Sequence, residues 1–475
     1  MTKQECAIKY ITENYLDYRR LRHDIVADKL QVRCAHSLED AALSGYSLEF
    51  KGGEYWREMT KHDINSIVCH CAQEYDANIT SREVMTALQS DLIPDVHPLR
   101  EYINALPRYT PDQPDWIDFV AQQVRVRESS ADRPKGLSER TACCQTTMLL
   151  DRPYGAERPT NLTGEADLTI SEVHGLTSNS SQRERSKADR LWRACFKKWF
   201  VAMVASWMKD EVVNHQVLVL IGKQGIFKTT WLEHLIPPHL RAYACKLANS
   251  NDLNKDERLR IAEFGLISLD EIDSMNNREL NQLKSVITAT DVNERAAYAY
   301  TKERRVRLAS FCASGNRRDF LTDITGNRRW LPFEVEEIQN PFFTLLPYER
   351  MYAQAWALAQ DPLFSYWFDL DEIEVLEQHN QYFRDESNEE QLLPILFDVP
   401  AEGKGEFMTT AQISERLVTY GNIKKPMALS RLGMVLGAAG YQSTRPKIGG
   451  RLIRGWLVYQ RDTDEIASLK RLLKE

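Results

Sequence analysis

Val217 to Ile221 is an uninterrupted apolar run, VLVLI, that leads straight into Gly222-Lys-Gln-Gly225-Ile226-Phe227-Lys228-Thr229-Thr230. A strand with no polar position has to be buried on both faces, as a central strand of a parallel sheet is. Parallel strands need crossover helices, so the run predicts an α/β layer structure. A loop at the C-terminal end of such a strand, opening a helix, aims backbone N–H groups at a phosphate. Gly222, Gly225, Ile226, Phe227, Lys228, Thr229 and Thr230 are therefore the candidate cradle for ATP. Lys228 is placed to reach the β- and γ-phosphates, and the Thr229 hydroxyl to ligate Mg²⁺. Pro237-Pro238 ends the helix. One position departs from G-x-x-x-x-G-K-[ST]: Phe227 stands where the second glycine belongs. A positive φ there costs on the order of 1–3 kcal/mol, unless Gly225 takes the tight turn instead.

Three further segments follow in chain order. Phe264-Gly-Leu-Ile-Ser-Leu269 reads as a second buried strand, ending in Asp270-Glu271. A P-loop ATPase needs one carboxylate for the Mg²⁺ shell and another to polarise the attacking water. Asp270 is assigned the first role and Glu271 the second. Leu308 to Asn316, LASFCASGN, reads as a third apolar strand that delivers the Asn316 amide to the same sheet edge, within reach of a γ-phosphate or the water. Gly326-Asn327-Arg328-Arg329 then precedes WLPFEV. An arginine at that point, Arg328 or Arg329, could stabilise transition-state charge at a neighbouring subunit's site.

At 475 residues, with 43% hydrophobic and 27% charged residues, the chain suits a soluble protein of two to four domains. The N-terminal MTKQECAIKYITENYLDYRR is charged throughout and does not read as a signal peptide. No apolar run is long enough for a membrane span, so a cytoplasmic setting is expected. The nine cysteines include no C-x-x-C pair, and free thiols are expected. The net charge of −7 gives no global attraction to nucleic acid, so DNA contact must come from local basic patches.

Four segments are expected. Residues 1–127 form an α+β region. Residues 128–187 are a polar linker or mobile loop. Residues 188–390 hold the nucleotide domain and a helical extension, opening with a helix over Leu191 to Met208 whose Trp and Phe residues read as core. Its acidic stretch DLDEIEVLEQHNQYFRDESNEEQ reads as a solvated charged face. Residues 391–475 pattern as two helices, TTAQISERLVTYG and PMALSRLGMVLGAAGY, then a glycine-turned hairpin, RPKIGGRLIRGWLVYQ. That winged-helix-like pattern would present Arg431, Arg445, Lys447, Arg451 and Arg454 to duplex DNA, or else serve protein contacts.

The order GKQGIFKTT, LISLDEID, RAAYAYTKERRVRLASFCASGN, DITGNRRWLPFEV resembles the virulence-associated protein E family over about Arg193 to Phe383, and more weakly over Asp91 to Val126. Such proteins look like superfamily 3 helicases of phages, plasmids and genomic islands. The resemblance implies an AAA+-like core, a homo-oligomeric ring and nucleotide sites shared between subunits. It places the phosphate loop on Gly222 to Thr230, the acidic pair on Asp270 and Glu271, the sensor on Asn316 and the trans arginine on Arg328 or Arg329. It further implies a channel hairpin between the acidic motif and the sensor strand. Here that interval has a polar tip around Thr301 to Glu303, with Lys302, Arg304 and Arg305 set for single-stranded DNA phosphates and Tyr298 or Tyr300 for bases. Arg307 alternates with core positions and reads as structural. Residues 1–125 show no D-x-D-type metal motif, so primase activity is not claimed from them. The resulting expectation is an ATP- and Mg²⁺-dependent DNA helicase or translocase of a mobile element. A nucleotide-gated DNA-binding regulator with little hydrolysis, or an ATPase that loads or remodels a protein partner, are the alternatives.

Overall fold

A computed structural model of the chain describes residues 1–35, 54–127, 187–247, 255–294, 303–321, 327–400 and 405–472. The chain divides into two compact units, Met1–Arg318 with Arg329–Gln378, and Asp319–Arg328 with His379–Glu475.

The first unit begins with a small sheet of β1 (Leu21–Asp24), β2 (Lys29–Ala35), β3 (Glu54–Glu58) and β4 (Asp95–Val96), in the order β3-β2-β1-β4. Helices Lys3–Ile11, Lys61–Tyr75 and Ser81–Leu88 cover it. Each opens with a capping box, Thr2 with Glu5, Thr60 with Asp63 and Thr80 with Glu83, which satisfies N–H groups the first turn leaves bare. Tyr10, Ile11, Leu21, Ile67, Val84 and Leu88 form the core between sheet and helices.

The remaining strands of this unit are β5 (Val124–Val126), β6 (Val217–Ile221), β7 (Ala244–Leu247), β8 (Leu266–Leu269), β9 (Asp291–Glu294), β10 (Glu303–Val306), β11 (Ser310–Gly315) and β12 (Trp330–Ile338). The central sheet runs β5-β12-β6-β11-β8-β7. Its last five strands are mutually parallel, while β5 pairs antiparallel with β12 at the edge. Every residue of β6, β8 and β11 is buried, the double-faced burial that their apolar runs predict. The polar stretch before residue 187 therefore does not separate two sheets, because β5 precedes it in sequence and still completes this one.

Helix Lys187–Met208 lies against the sheet and against helix Tyr348–Gln360. Its Trp192, Phe196, Trp199, Phe200 and Trp207 are wholly buried. The three indole N–H groups donate to the carbonyls of Ala121, Phe311 and Gly265 at 2.9, 3.1 and 3.1 Å. Large apolar area and a satisfied polar edge are the conditions under which tryptophan can be buried.

Strands β9 and β10 form a hairpin in which Glu303 pairs with Glu294 and Val306 with Asp291. Glu303 is thus a strand residue rather than part of the tip. Tyr298, Tyr300 and Lys302 lie outside the described residues. Arg307, just past β10, is fully buried and donates to the carbonyls of Ala309, Ile287 and Asn214. Burial lowers its pKa to about 9.

In the acidic stretch after β12 six of the nine carboxylates are exposed, as a solvated face requires, and three are buried. Within the first unit Glu372 takes the Lys198 ammonium at 2.6 Å and caps its own helix through Asp369. Within the second, Glu390 pairs with Arg384 at 2.8 Å, and Glu389 accepts the Met427 N–H at 2.6 Å. Glu372 and Glu390, each in a first helical turn, close onto the N–H groups before them, so the charged face also caps two helices.

In the second unit β18 (Gly455–Gln460) pairs antiparallel with β13 (Phe397–Asp398), β14 (Glu406–Met408) and β15 (Gln442–Thr444). Helices Thr410–Gly421 and Leu429–Ala438 pack Ile413, Leu417, Leu432 and Leu436 onto Trp456 and Val458. The short hairpin of β16 (Lys447–Ile448) and β17 (Arg451–Leu452) turns on Gly449 and Gly450, at φ 57° and 84°. Two consecutive positive φ angles favour glycine in a tight hairpin. No helix among the described residues is long and apolar enough to cross a membrane.

Candidate functional site

The C-terminal ends of β6, β8 and β11 meet at one edge of the central sheet. Because β11 lies between β6 and β8, their following loops converge on its last residues. Gly222 donates to the Gly315 carbonyl at 3.1 Å, and a Cβ on Gly222 would fall 2.6 Å from the Val335 carbonyl oxygen. Only a bare backbone fits there. Gly225 turns at φ 84°, but it does not relieve the next position of note. Phe227 is itself left-handed, at φ 66° and ψ 17°, and its carbonyl accepts from the Trp231 N–H at 2.8 Å to start helix Lys228–His234. The backbone keeps the conformation a glycine would favour, with a phenylalanine in it.

Lys228 is 7% exposed and folds over the loop. Its ammonium donates to the carbonyls of Gly222 and Lys223 at 2.8 and 2.7 Å, and to Asn316 Oδ1 at 3.3 Å. Burial lowers its pKa, against the opposing pull of Asp273 and Asp270. The Thr229 hydroxyl lies 2.9 Å from Ser314 Oγ and 3.3 Å from Asp270 Oδ1. Ser314 donates to the same carboxylate oxygen at 2.7 Å. The Lys246 ammonium is 2.8 Å from Asp270 Oδ2. Burial works to raise the Asp270 pKa, but the bonds from Lys246, Ser314 and Thr229 outweigh it and hold the carboxyl below its ordinary value. The same bond raises the Lys246 pKa. Glu271 follows in a left-handed conformation, φ 52°, exposed at the rim.

These groups line a cavity of about 320 Å³ bounded by Gln224, Gly225, Phe227, Lys228, Thr229, Thr230, Asp270, Glu271, Ser314, Gly315 and Asn316. The structure thus brings together Lys228, Thr229, Thr230, Asp270, Glu271 and Asn316, which come from three separate stretches of chain. Three further residues belong with them. Ser314 ties the threonine to the acid. Asp273 accepts the N–H groups of Asn316 and Arg317 at 3.0 and 3.1 Å and so sets the turn carrying Asn316. Lys246 neutralises Asp270. The first two were within reach of the motifs, in ASGN and DEID. Lys246, on the edge strand β7, has no local signal.

Other expected site residues lie elsewhere. Arg329 precedes Trp330, which pairs with Val217 at the start of β6, whereas the cavity opens past Ile221. That puts Arg329 about 16 Å away along the strands, at the opposite sheet edge. Arg328 is exposed and belongs to the second unit. On the β9–β10 hairpin, Arg305 is drawn to Asp28 at 2.6 Å and Glu263 at 3.6 Å, a pairing the sequence does not foretell. Arg304 pairs with Asp291 while its side chain stays 76% exposed. In the second unit Arg445, Lys447, Arg451 and Arg454 are exposed on and beside the glycine-turned hairpin, and Arg431 is half-buried.

Fold and site together define an α/β protein whose mostly parallel sheet carries a lysine-, hydroxyl- and carboxylate-lined cavity at its C-terminal edge. Residues 173–390 match the sequence model of the virulence-associated protein E-like domain, and the chain carries such a domain. Among solved structures the chain is similar to the apo structure of the NrS-1 C-terminal region, at 11% identity and a TM-score of 0.40, over 96% of this chain and 100% of that one. The A form apo structure of that region gives 11% identity and a TM-score of 0.41, over 95% and 99%. No curated protein matches.

Proposed function

We propose that this protein is a P-loop ATPase of the AAA+ type that uses ATP and Mg²⁺ to move along or unwind DNA for a mobile genetic element. The observation that carries the reading is the convergence of Lys228, Thr229, Asp270, Glu271 and Asn316 on one cavity. Thr229, Ser314 and Asp270 offer an all-oxygen donor set of two hydroxyls and a carboxylate, which suits a hard cation. Mg²⁺ bound there would neutralise charge on the β- and γ-phosphate oxygens.

The chain's own groups do the rest. Lys228 exchanges its two carbonyl partners for phosphate oxygens. Glu271 takes a proton from the water whose oxygen attacks the γ-phosphorus, as the bond to the β–γ bridging oxygen breaks and ADP leaves. Asn316 orients that water or the γ-phosphate. The position of Arg329 at the far sheet edge favours a role toward a neighbouring subunit in a ring, and Arg328 is the alternative. Arg304 on β10, with Lys302 and Tyr300 just before that strand in sequence, would track a single strand. Two helices followed by a basic hairpin in the second unit suit a winged-helix contact with duplex DNA.

Steady-state ATPase measured with and without single-stranded DNA tests the reading. Turnover that DNA stimulates and Lys228→Ala abolishes is expected; unchanged turnover in that variant refutes it. One observation favours a second reading, a nucleotide-gated DNA-binding switch with little hydrolysis: the strained phenylalanine at position 227. Tight ATP binding without turnover would select it.

A further inference from the structure

The phosphate cradle leaves one neighbouring group of side chains unused. Phe227 lines the cavity, and its ring meets Phe342 nearly perpendicularly, centroids 6.5 Å apart at 80°. Phe342 meets the His234 imidazole in the same way, at 5.4 Å and 85°. Yet Phe342 remains 66% exposed. It is held in place from below, since its N–H donates to Asn340 Oδ1 at 3.0 Å and the Thr344 N–H to the Asn340 carbonyl at 3.1 Å.

His234 adds direction. Its Nδ1 lies 2.7 Å from the Thr230 carbonyl oxygen, which can only accept. Nδ1 therefore carries the hydrogen, and in the neutral ring Nε2 is a bare acceptor. No described side chain or backbone group donates to it. His234 follows Lys228 by six residues, about 9 Å farther along the helix axis and away from the phosphate cradle.

We propose that Phe342, Phe227 and His234 form the base subsite of the nucleotide site, with Phe342 as stacking platform and His234 Nε2 as acceptor for the exocyclic amine of adenine. The inference rests on the nucleotide reading above. It also gives the phenylalanine at position 227 a purpose: the residue that replaces the expected glycine supplies an aromatic wall where the cradle meets the base. Aromatic surface holds any base by its face. The acceptor nitrogen separates adenine, which has a donor at that edge, from hypoxanthine, which has a carbonyl there.

Equilibrium titration of the full chain with ATP, ITP and inorganic tripolyphosphate, each with Mg²⁺, tests this. Phe342→Ala is expected to weaken ATP and ITP about tenfold and to leave tripolyphosphate unchanged, with Phe342→Tyr restoring both. His234→Leu is expected to abolish the preference for ATP over ITP without altering tripolyphosphate affinity. Equal ATP affinity in wild type and Phe342→Ala overturns the platform. So does an equal loss for tripolyphosphate, which would mean a disturbed loop. Lack of an ATP-over-ITP preference in the wild type overturns the acceptor role. A wild type that binds neither ATP nor tripolyphosphate overturns the nucleotide reading itself, and the subsite with it.

Discussion

At Phe227 the backbone holds φ 66° and ψ 17°, a conformation in which any Cβ is crowded by its own peptide. The usual ranking of small residues should invert there. Alanine normally beats glycine by about 0.5–1 kcal/mol inside a helix, because glycine loses more chain entropy on folding. In the left-handed region the Cβ costs an L-residue about 1–2 kcal/mol. Phe227→Ala keeps that cost and discards the edge contact with Phe342, worth about 0.5–1.5 kcal/mol. Phe227→Gly discards the same contact but removes the strain. The glycine variant should therefore be the more stable of the two by about 1 kcal/mol, and close to wild type. Trp192, Trp199, Trp207, Trp231 and Trp330 are all buried in the unit that carries the loop, so intrinsic fluorescence follows its melting. A gap of about 1 °C between the variants is expected for a unit of this size. If Phe227→Ala melts at or above Phe227→Gly, the loop is not strained in solution and the argument fails.

Gly222→Ala should destabilise the first unit by about 1–3 kcal/mol and weaken nucleotide binding, because its Cβ meets the Val335 carbonyl oxygen at 2.6 Å; chemical denaturation and titration read the two effects. Arg307→Met removes the donor from several buried carbonyls and should cost at least about 3 kcal/mol, measured by the same denaturation. The carboxyl of Asp270 is held below its ordinary value, so the folded state binds fewer protons there than the unfolded chain. Its pairing therefore stabilises fully above about pH 4 and is lost as pH falls through the folded value. Asp270→Asn should be less stable than wild type at pH 7, with the gap narrowing steadily as pH falls below about 4; a gap that does not narrow at all in acid would show that the charge is not what matters. The Glu271→Gln variant should bind ATP as wild type does while hydrolysing it roughly 10²–10⁴-fold more slowly, read by titration beside phosphate release.

Periodicity made much of the first unit legible. A strand with no charged position and few or no polar ones admits one environment, so β6, β8 and β11 and the α/β class follow from their side chains alone. The long helix was readable in the same way, since tryptophans at helical spacing need a core on one side. The capping glutamates after β12 were not, because a run of acids looks the same whether it faces water or folds back on helix N-termini. Only the three-dimensional arrangement shows Glu372 on Lys198 and Glu390 on Arg384.

For the site, sequence determined which chemistry was available and in what order: a lysine and threonine after one strand, two acids after a second, an amide after a third. It also showed that Phe227 broke the expected pattern. Tertiary structure decided how those ends met. Strand order is a property of the folded sheet, and placing β11 between β6 and β8 makes Ser314 the link between Thr229 and Asp270. The same packing brought in Lys246 from an edge strand and β5 from before the polar stretch. It also set Phe342, more than a hundred residues downstream, against the one residue of the loop that departs from the glycine pattern. Local side-chain chemistry is written along the chain, but contacts between distant segments depend on how the sheet is ordered.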